Sequence, residues 1–376
     1  MDRPLISVFV PTKNRYQFLK NLITLIESYH DERIELVIHD NTENNSEILD
    51  YMKDQQYLST KYYHDGSFLT MSQNSDLAFS HCAGEYVCMI GDDDAVCRNI
   101  GDCAQWMHDN DIDALRSVEA QFVYEETKTL LYYGDVKPQY RFYDPIKELK
   151  KSLRRGLPDF GNIPKPYQGI VRRSVMEKVR EKCGTCFPGC TPDMSGAVAS
   201  SFYVKKFVMV DIPVVLSGLS NMNSGGLSGQ ILTLDQVPWI EQSTRDNWEQ
   251  KVPRIWAREF IWPESGSKGL RCTGNDSYLK YLDYNMMKCR YLVMHKQHRQ
   301  AVIDSAPSKL RLYYAMLKVY LTVGFKYIVR RKILKPLNHK MNGVFNYENN
   351  LPNIIKAEEY FFNKNYYICF NELKEK

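Results

Sequence analysis

The chain has 376 residues, with 49 Lys and Arg against 45 Asp and Glu and a formal net charge of +4. So even a balance excludes a protein that binds nucleic acid over its whole surface. An apolar share of 44% and a charged share of 25% are those of a soluble globular protein, with length for one large domain and an appendage or for two domains.

The start, Met1-Asp2-Arg3-Pro4, leads into a strand with no charged-then-apolar leader. The ten cysteines are therefore expected as reduced thiols in a cytosolic protein rather than as a disulfide framework. Leu5–Val10 reads as a strand ended by Pro11-Thr12, and Tyr16–Glu27 has helical periodicity through Phe18, Leu19, Leu22, Ile23, Leu25 and Ile26. Glu35–His39 is a second strand ending on Asp40-Asn41-Thr42. Ser46 is placed to cap a helix from Glu47. A short strand covers Lys61–His64, and Thr70 or Ser72 opens a helix through Phe79. The strand Glu85–Ile90 follows and delivers Gly91-Asp92-Asp93-Asp94.

This β-α-β-α-β-α-β order predicts an α/β fold with a mostly parallel sheet and right-handed crossovers. Ligands are then expected beyond the strand carboxyl ends, at Pro11–Arg15, Asp40–Asn45 and Asp92–Asp94. No Gly-x-Gly-x-x-Gly follows the first strand and no Walker phosphate loop occurs, which disfavours a dinucleotide-binding domain. Three adjacent carboxylates after a buried strand repel one another unless a cation or donors lie among them. Hard oxygens on a short loop suit Mg²⁺ or Mn²⁺ shared with substrate phosphates.

The middle of the chain mixes strand-like stretches at Ala114–Ala120, Gln121–Tyr124, Leu130–Tyr133 and Phe207–Val210 with a loop over Arg154–Gln168. Pro192-Asp193-Met194-Ser195 reads as a helix start with Thr191 as cap. Cys183, Cys186 and Cys190 cluster, but no fourth zinc ligand stands at familiar spacing, which leaves small buried residues in a loop against a metal or redox role. From about Thr244 the pattern is mainly helical. Between Ala306 and Tyr347 there is no acidic residue, and Arg311, Lys318, Lys326 and Arg330 share one narrow helical stripe beside wide apolar sides. Two readings stay open: a basic amphipathic helix in a membrane interface, or a helix packed on the protein or on a second copy.

The order of these loops resembles the family 2 glycosyltransferases, which have the GT-A fold. The resemblance rests on Val8–Arg15 with its Pro-Thr-x-Asn-Arg loop, on Leu36–Thr42, and on Asn74 through Gly84–Val87 with the acidic triplet. It also rests on Pro188–Asp193 with Gly218-Leu219-Ser220 and Ser224-Gly225-Gly226, which look like bacterial surface-polysaccharide transferases. It covers roughly the first 230 residues. His39-Asp40-Asn41 departs from the commoner Asp-Asp-Gly-Ser stretch.

The resemblance implies a GT-A domain over residues 1–230, with a donor half to about 100 and an acceptor half after it, followed by a helical, basic region over 244–376. It implies an inverting transfer of sugar from a nucleotide-sugar, UDP-sugar favoured, to a hydroxyl of a lipid-linked surface glycan. Asp94 would hold Mn²⁺ or Mg²⁺ with Asp92, and Asp92 would also meet the donor ribose or sugar, with Asp93 orienting either. Pro11, Thr12, Asn14 and Arg15 would lie by the nucleotide. Asp40 would accept the uracil N–H or else serve as a turn residue, and Asn74 would reach the donor or else face solvent. Asp193 would be the general base, kept ionised by its helix N-terminus, or else only stabilise that helix. Gly225, Gly226 and Gly229 suit a lid over the donor or an ordinary loop. The expected setting is the cytoplasmic face of the inner membrane, with a homo-oligomer left open. A sugar-nucleotidyltransferase or a non-catalytic glycan- or membrane-binding scaffold are the rival readings.

Overall fold

The first hundred residues alternate as expected: β1 (Ile6–Thr12), α1 (Tyr16–Glu27), β2 (Ile34–Asp40), α2 (Ser46–Met52), β3 (Thr60–His64), α3 (Met71–Ser80) and β4 (Tyr86–Met89). This computed structural model describes residues 4–53, 55–124, 128–133, 138–220, 231–321, 345–363 and 370–376. β4 buries all four of its residues, as a strand covered on both faces does. α1 buries the predicted Phe18, Leu19, Leu22, Ile23, Leu25 and Ile26. α3 starts on Thr70, whose side chain and that of Gln73 form a reciprocal capping box. At α2 the expectation is corrected by one residue. Asn45 is the cap position and Ser46 is the first helical residue, its amide donating to Asn44 Oδ1 at 3.0 Å.

The chain continues through β5 (Ala95–Val96), α4 (Ile100–Asp109), β6 (Ala114–Ser117), β7 (Ala120–Val123), β8 (Thr129–Tyr133), β9 (Gln139–Tyr143) and α5 (Pro145–Arg154). Then come β10 (Ile170–Arg172), α6 (Arg173–Cys183), α7 (Pro192–Ser200), β11 (Phe207–Val210) and β12 (Val215–Leu219). The main sheet has nine strands in the order Lys374–Glu375, β9, β11, β6, β10, β4, β1, β2, β3. β3, β2, β1 and β4 run parallel, while β10 is antiparallel to both β4 and β6. Thr12 pairs with Asp40 and Asp40 with His64, so the polar ends of β1, β2 and β3 share one sheet edge. A second sheet of five strands, Phe345–Glu348, β8, β7, β12 and β5, begins just after the acidic triplet.

One face of the main sheet packs Ile6, Val8 and Val10 against Leu19, Leu22 and Ile23 of α1 and Met107 of α4. The other packs Phe9, Val37 and Val87 against Phe79 of α3 and Val175 and Met176 of α6. Gly84 is required where the turn before β4 crosses β1, because a Cβ there would lie 2.6 Å from the Ser7 amide nitrogen. The fold is thus the expected α/β class of GT-A type.

Helices α8 (Gln242–Asp246), α9 (Arg258–Cys272), α10 (Tyr284–Met294), α11 (Arg299–Asp304) and α12 (Lys309–Val319) make the later part mainly helical, as expected. A cluster around Phe260, Tyr291, Leu292 and Leu312 forms their core. The chain then returns. Ile354, Ala357 and Phe361 pack with Leu25, Phe122 and Leu216, and Phe370 joins the main core. The segment Asn221–Gly229, with Gly225, Gly226 and Gly229, lies outside the described residues. So do Lys326 and Arg330 of the basic stripe.

The cysteine expectation needs correction. Cys183 and Cys272 form a disulfide with Cα atoms 5.0 Å apart, joining the carboxyl ends of α6 and α9 across a sequence separation of 89. Neither residue signals the other at that separation. Cys186 donates to the Met176 carbonyl at 3.5 Å, and Cys190 lies 3.3 Å from Ser265 Oγ, so the local cysteine cluster does not converge.

Candidate active site

β4 ends beside β1, where the Ile90 amide donates to the Phe9 carbonyl at 3.1 Å. The next residues turn sharply. The Asp94 amide donates to the Gly91 carbonyl at 3.2 Å, and the Gly91 amide donates back to Asp94 Oδ2 at 2.8 Å. Asp94 Oδ1 accepts from the Gly218 amide of β12 at 2.7 Å. Gln168 Nε2 reaches both Asp94 oxygens at 3.1 Å, and the Tyr167 hydroxyl donates to Oδ2 at 3.1 Å. A Cβ on Gly218 would run into the Asp93 carbonyl, so only glycine lets β12 pass this close.

Arg15 closes the other side. Its Nη1 lies 3.1 Å from Asp92 Oδ1 and its Nη2 2.7 Å from Asp93 Oδ2. Thr12 donates to Asp92 Oδ2 at 2.6 Å, and Ser220 donates to Asp93 Oδ2 at 2.7 Å. All three carboxylates are at least 96% buried, with exposures of 3%, 4% and 1%. Burial pushes Asp92 up to about 7 against the pull of Arg15 and Thr12. Asp94 also rises, from burial first and the Asp93 charge second, despite its two backbone donors. For Arg15, burial opposes the charge but Asp92 and Asp93 outweigh it, so its pKa rises. Burial thus disfavours full ionisation of Asp92 and Asp94 even with Arg15 alongside.

The other predicted residues surround this centre unequally. Pro11 pairs with His39 in the sheet. Asn14 is exposed with φ of 58°, a left-handed angle that asparagine tolerates, and its amide donates to Thr42 Oγ1 at 2.8 Å. Asn74 is 6% exposed, so the solvent-facing alternative is corrected. It spans His39 Nδ1 at 2.7 Å and the Thr12 carbonyl at 3.2 Å, bracing the ends of β1 and β2. Asp40 is fully buried and accepts from Tyr16 at 2.6 Å, Tyr62 at 2.7 Å and the Thr42 amide at 2.9 Å. Both phenols converge on Oδ2, while Oδ1 accepts from the Thr42 amide.

Asp193 lies in the first turn of α7, with Thr191 at the cap position, and accepts from the Met194 amide at 2.7 Å. The expectation that the helix end lowers its pKa is corrected. Burial outweighs that backbone donor and the nearby Lys165, and the net shift is upward. Lys165 is 4% exposed and is pushed down to about 8 by burial and Arg116, with Asp193 and Asp94 both pulling it back. Tyr167 likewise feels Asp94, Asp93 and Asp193. These two residues electrostatically link the triplet to the candidate base.

Sequence reasoning missed Lys165, Tyr167 and Gln168, which lay in a stretch read only as loop. Gln168 has φ of 54°, a conformation invisible in the sequence. Gly218 and Ser220 were within the quoted Gly-Leu-Ser stretch, so their signal was present.

The triplet fits a hard divalent ion in charge and ligand type, since every donor is oxygen and two carboxyls are driven upward. Among the described residues no group of three or more His, Cys, Asp or Glu could hold a metal by itself. Substrate phosphates and water would have to complete such a shell.

Residues 7–179 match the family model for glycosyl transferase family 2. No curated protein matches the chain in sequence. The fold is similar to the crystal structure of S. aureus TarS 1–349 in complex with UDP-GlcNAc, at 15% identity and a TM-score of 0.50, covering 84% of this chain and 88% of that one. A longer TarS structure matches at 14% identity and a TM-score of 0.41 over 58% of this chain, which spans 37% of that chain's length. Mannosyltransferase PcManGT from Pyrobaculum calidifontis, in complex with GDP-Man and Mn²⁺, matches at 14% identity and a TM-score of 0.41, with 85% and 88% covered. Residues 7–179, a little under half of the chain, are thus similar to family 2 glycosyltransferases, and the fold over most of the chain is similar to that of a glycosyltransferase.

Proposed function

We propose that the protein transfers a sugar from a nucleotide-sugar to a hydroxyl of a surface glycan, with inversion and with a divalent ion. The observation that carries this is the buried triplet, in which burial raises Asp92 and Asp94, at the edge where parallel strands end. UDP is the favoured nucleotide because the TarS structure of similar fold holds UDP-GlcNAc. Asp94 and Asp92 would hold Mn²⁺ or Mg²⁺, which when bound supplies charge to offset the departing diphosphate.

The chain's own residues do the rest. Arg15 and Thr12 fix Asp92, and Arg15 and Ser220 fix Asp93, so the acidic turn keeps its shape before the donor arrives. Asp193 takes the proton from the acceptor hydroxyl as its oxygen attacks the anomeric carbon and the bond to the nucleotide breaks. Its raised pKa makes it a stronger base than an exposed aspartate, and Lys165 helps keep it ionised. A membrane setting is supported by α12 and the residue after it, where Leu312 and Val319 are buried while Leu310, Tyr314, Leu317 and Tyr320 are exposed by 82%, 75%, 56% and 53%. Such an apolar face next to Lys309 and Arg311 suits an anionic interface and a lipid-linked acceptor.

The test is mutual stabilisation. Mn²⁺ and UDP together should raise the melting temperature more than the sum of each alone. Strictly additive shifts would remove the metal-diphosphate reading. Leu317→Glu with Tyr314→Glu should release the protein from phosphatidylglycerol liposomes, and unchanged binding would remove the membrane contact.

A further inference from the structure

Away from the strand ends, α10 and the residues before it border a cavity of about 680 Å³. Four cations line it, Arg154, Lys251, Lys280 and Lys288, together with Tyr281 and Tyr284. The one carboxylate in its wall, Asp283, is engaged in capping α10, accepting from the Asn285 and Met286 amides at 3.0 Å each. Three of the cations lie against rings, with no carboxylate ion pair among the described residues. Arg154 and Lys280 each sit 5.2 Å from the centroid of Tyr281, and Lys251 sits 5.4 Å from that of Tyr284. Lys288 is 1% exposed, and its ammonium donates to the Ser305 carbonyl at 2.7 Å. Burial pushes it down to about 8.

The geometry points to a second ligand site here, one that takes a phosphate or carboxylate group carried on a saccharide. Four positive charges against one engaged carboxylate leave the cavity in want of an anion. Tyrosines with the amides of Gln250 and Asn285 suit the hydroxyls and faces of a sugar ring. The volume is that of a small-ligand cleft. Under the transfer reading above, the ligand is an anionic segment of the acceptor glycan. That identification rests on the reading, whereas the binding does not. One stretch of chain borders both places. It leaves the cavity at Arg154, packs Gly156 (φ of 76°) on the first turn of α10, and runs on to Tyr167 and Gln168 beside Asp94.

The test uses the full chain with UDP and Mn²⁺ filling the donor site, and methyl glucuronide as probe in calorimetry. Methyl glucoside serves as its neutral twin and inorganic phosphate as the bare anion. The glucuronide should bind at least about tenfold more tightly than the glucoside or phosphate, and more weakly as salt rises. Lys251→Ala with Lys280→Ala should weaken it about tenfold or more and leave UDP affinity unchanged. Lys288→Met, kept if its melting temperature is intact, should do the same. Unchanged affinity in the double variant would overturn the site. Equal binding of the glucoside would overturn its anionic character, and equal binding of phosphate its saccharide character. Phosphatidylglycerol vesicles displacing the glucuronide through the same two lysines would overturn the glycan in favour of a lipid headgroup. Failure of UDP to bind would sink the transfer reading and leave these comparisons standing.

Discussion

The acidic turn after β4 and the basic cavity beside α10 are opposite solutions to one problem, charge withdrawn from water. At the turn, three carboxylates are held by backbone amides, Thr12, Ser220 and a single bidentate arginine, and burial drives Asp92 upward. In the cavity, lysines and an arginine rest on tyrosine rings, and burial drives Lys288 downward. The turn is fixed by a rigid parallel sheet and a dense hydrogen-bond network. The cavity is bordered by the end of α5, the start of α10 and the residues before it, tied by Asp283 and Lys288. The lesson is that charge at the sheet edge is held under constraint by a dense hydrogen-bond network, whereas charge on the cavity wall is left on long side chains.

The largest expected effect lies at the turn. Asp94→Ala should cut transfer by about 10³-fold or more and abolish the metal dependence of UDP binding. Retained metal-dependent binding would break the contrast, because the turn would then not be the charged centre. Asp193→Ala should spare UDP binding and lower kcat by roughly 10²- to 10³-fold. In the intact enzyme kcat/KM should fall on the acidic side with an apparent pKa above the ordinary carboxylate range, since Asp193 is raised and must be deprotonated to act.

The two regions should also answer pH in opposite senses. Asp92 is raised, so the folded state holds its proton where the unfolded chain has released it. Without divalent ions, its contribution is favourable near pH 4 and is lost as pH rises toward 7. Urea unfolding in EDTA should show a decline on the order of 1–3 kcal/mol over that window, flattened in Asp92→Asn. Lys288 is depressed, so its burial costs stability below about 8 and the cost fades as pH climbs past that value toward 10. The smallest effect follows: Lys288→Met should leave stability within about 1 kcal/mol at pH 9 and raise it slightly at pH 7. A loss at both values would show that the ammonium bond to Ser305 outweighs the burial.

Much of the first hundred residues was legible. The strand-helix alternation, the periodicity of α1 and the position of the triplet follow from local pattern, and the parallel register then brings Thr12 and Asp40 to one edge. What was not legible depended on long-range approach. Gln168 reaches Asp94 from 74 residues away in a backbone conformation that no composition announces. Asp40 looked available because its loop is polar, yet two tyrosines from separate elements enclose it. The sign of the shift at Asp193 was misread because a helix end is visible in sequence and depth of burial is not. The pairing of Cys183 with Cys272 was not legible either, because it depends on how α6 and α9 pack across a sequence separation of 89.

The returning tail has a consequence for synthesis. Glu358 pairs with Arg98 at 2.7 Å, Phe370 wedges beside Trp106, and Lys374–Glu375 adds an outermost strand next to β9. During synthesis the earliest-made sheet therefore stays incompletely sealed until this late segment has been made and can pack on it.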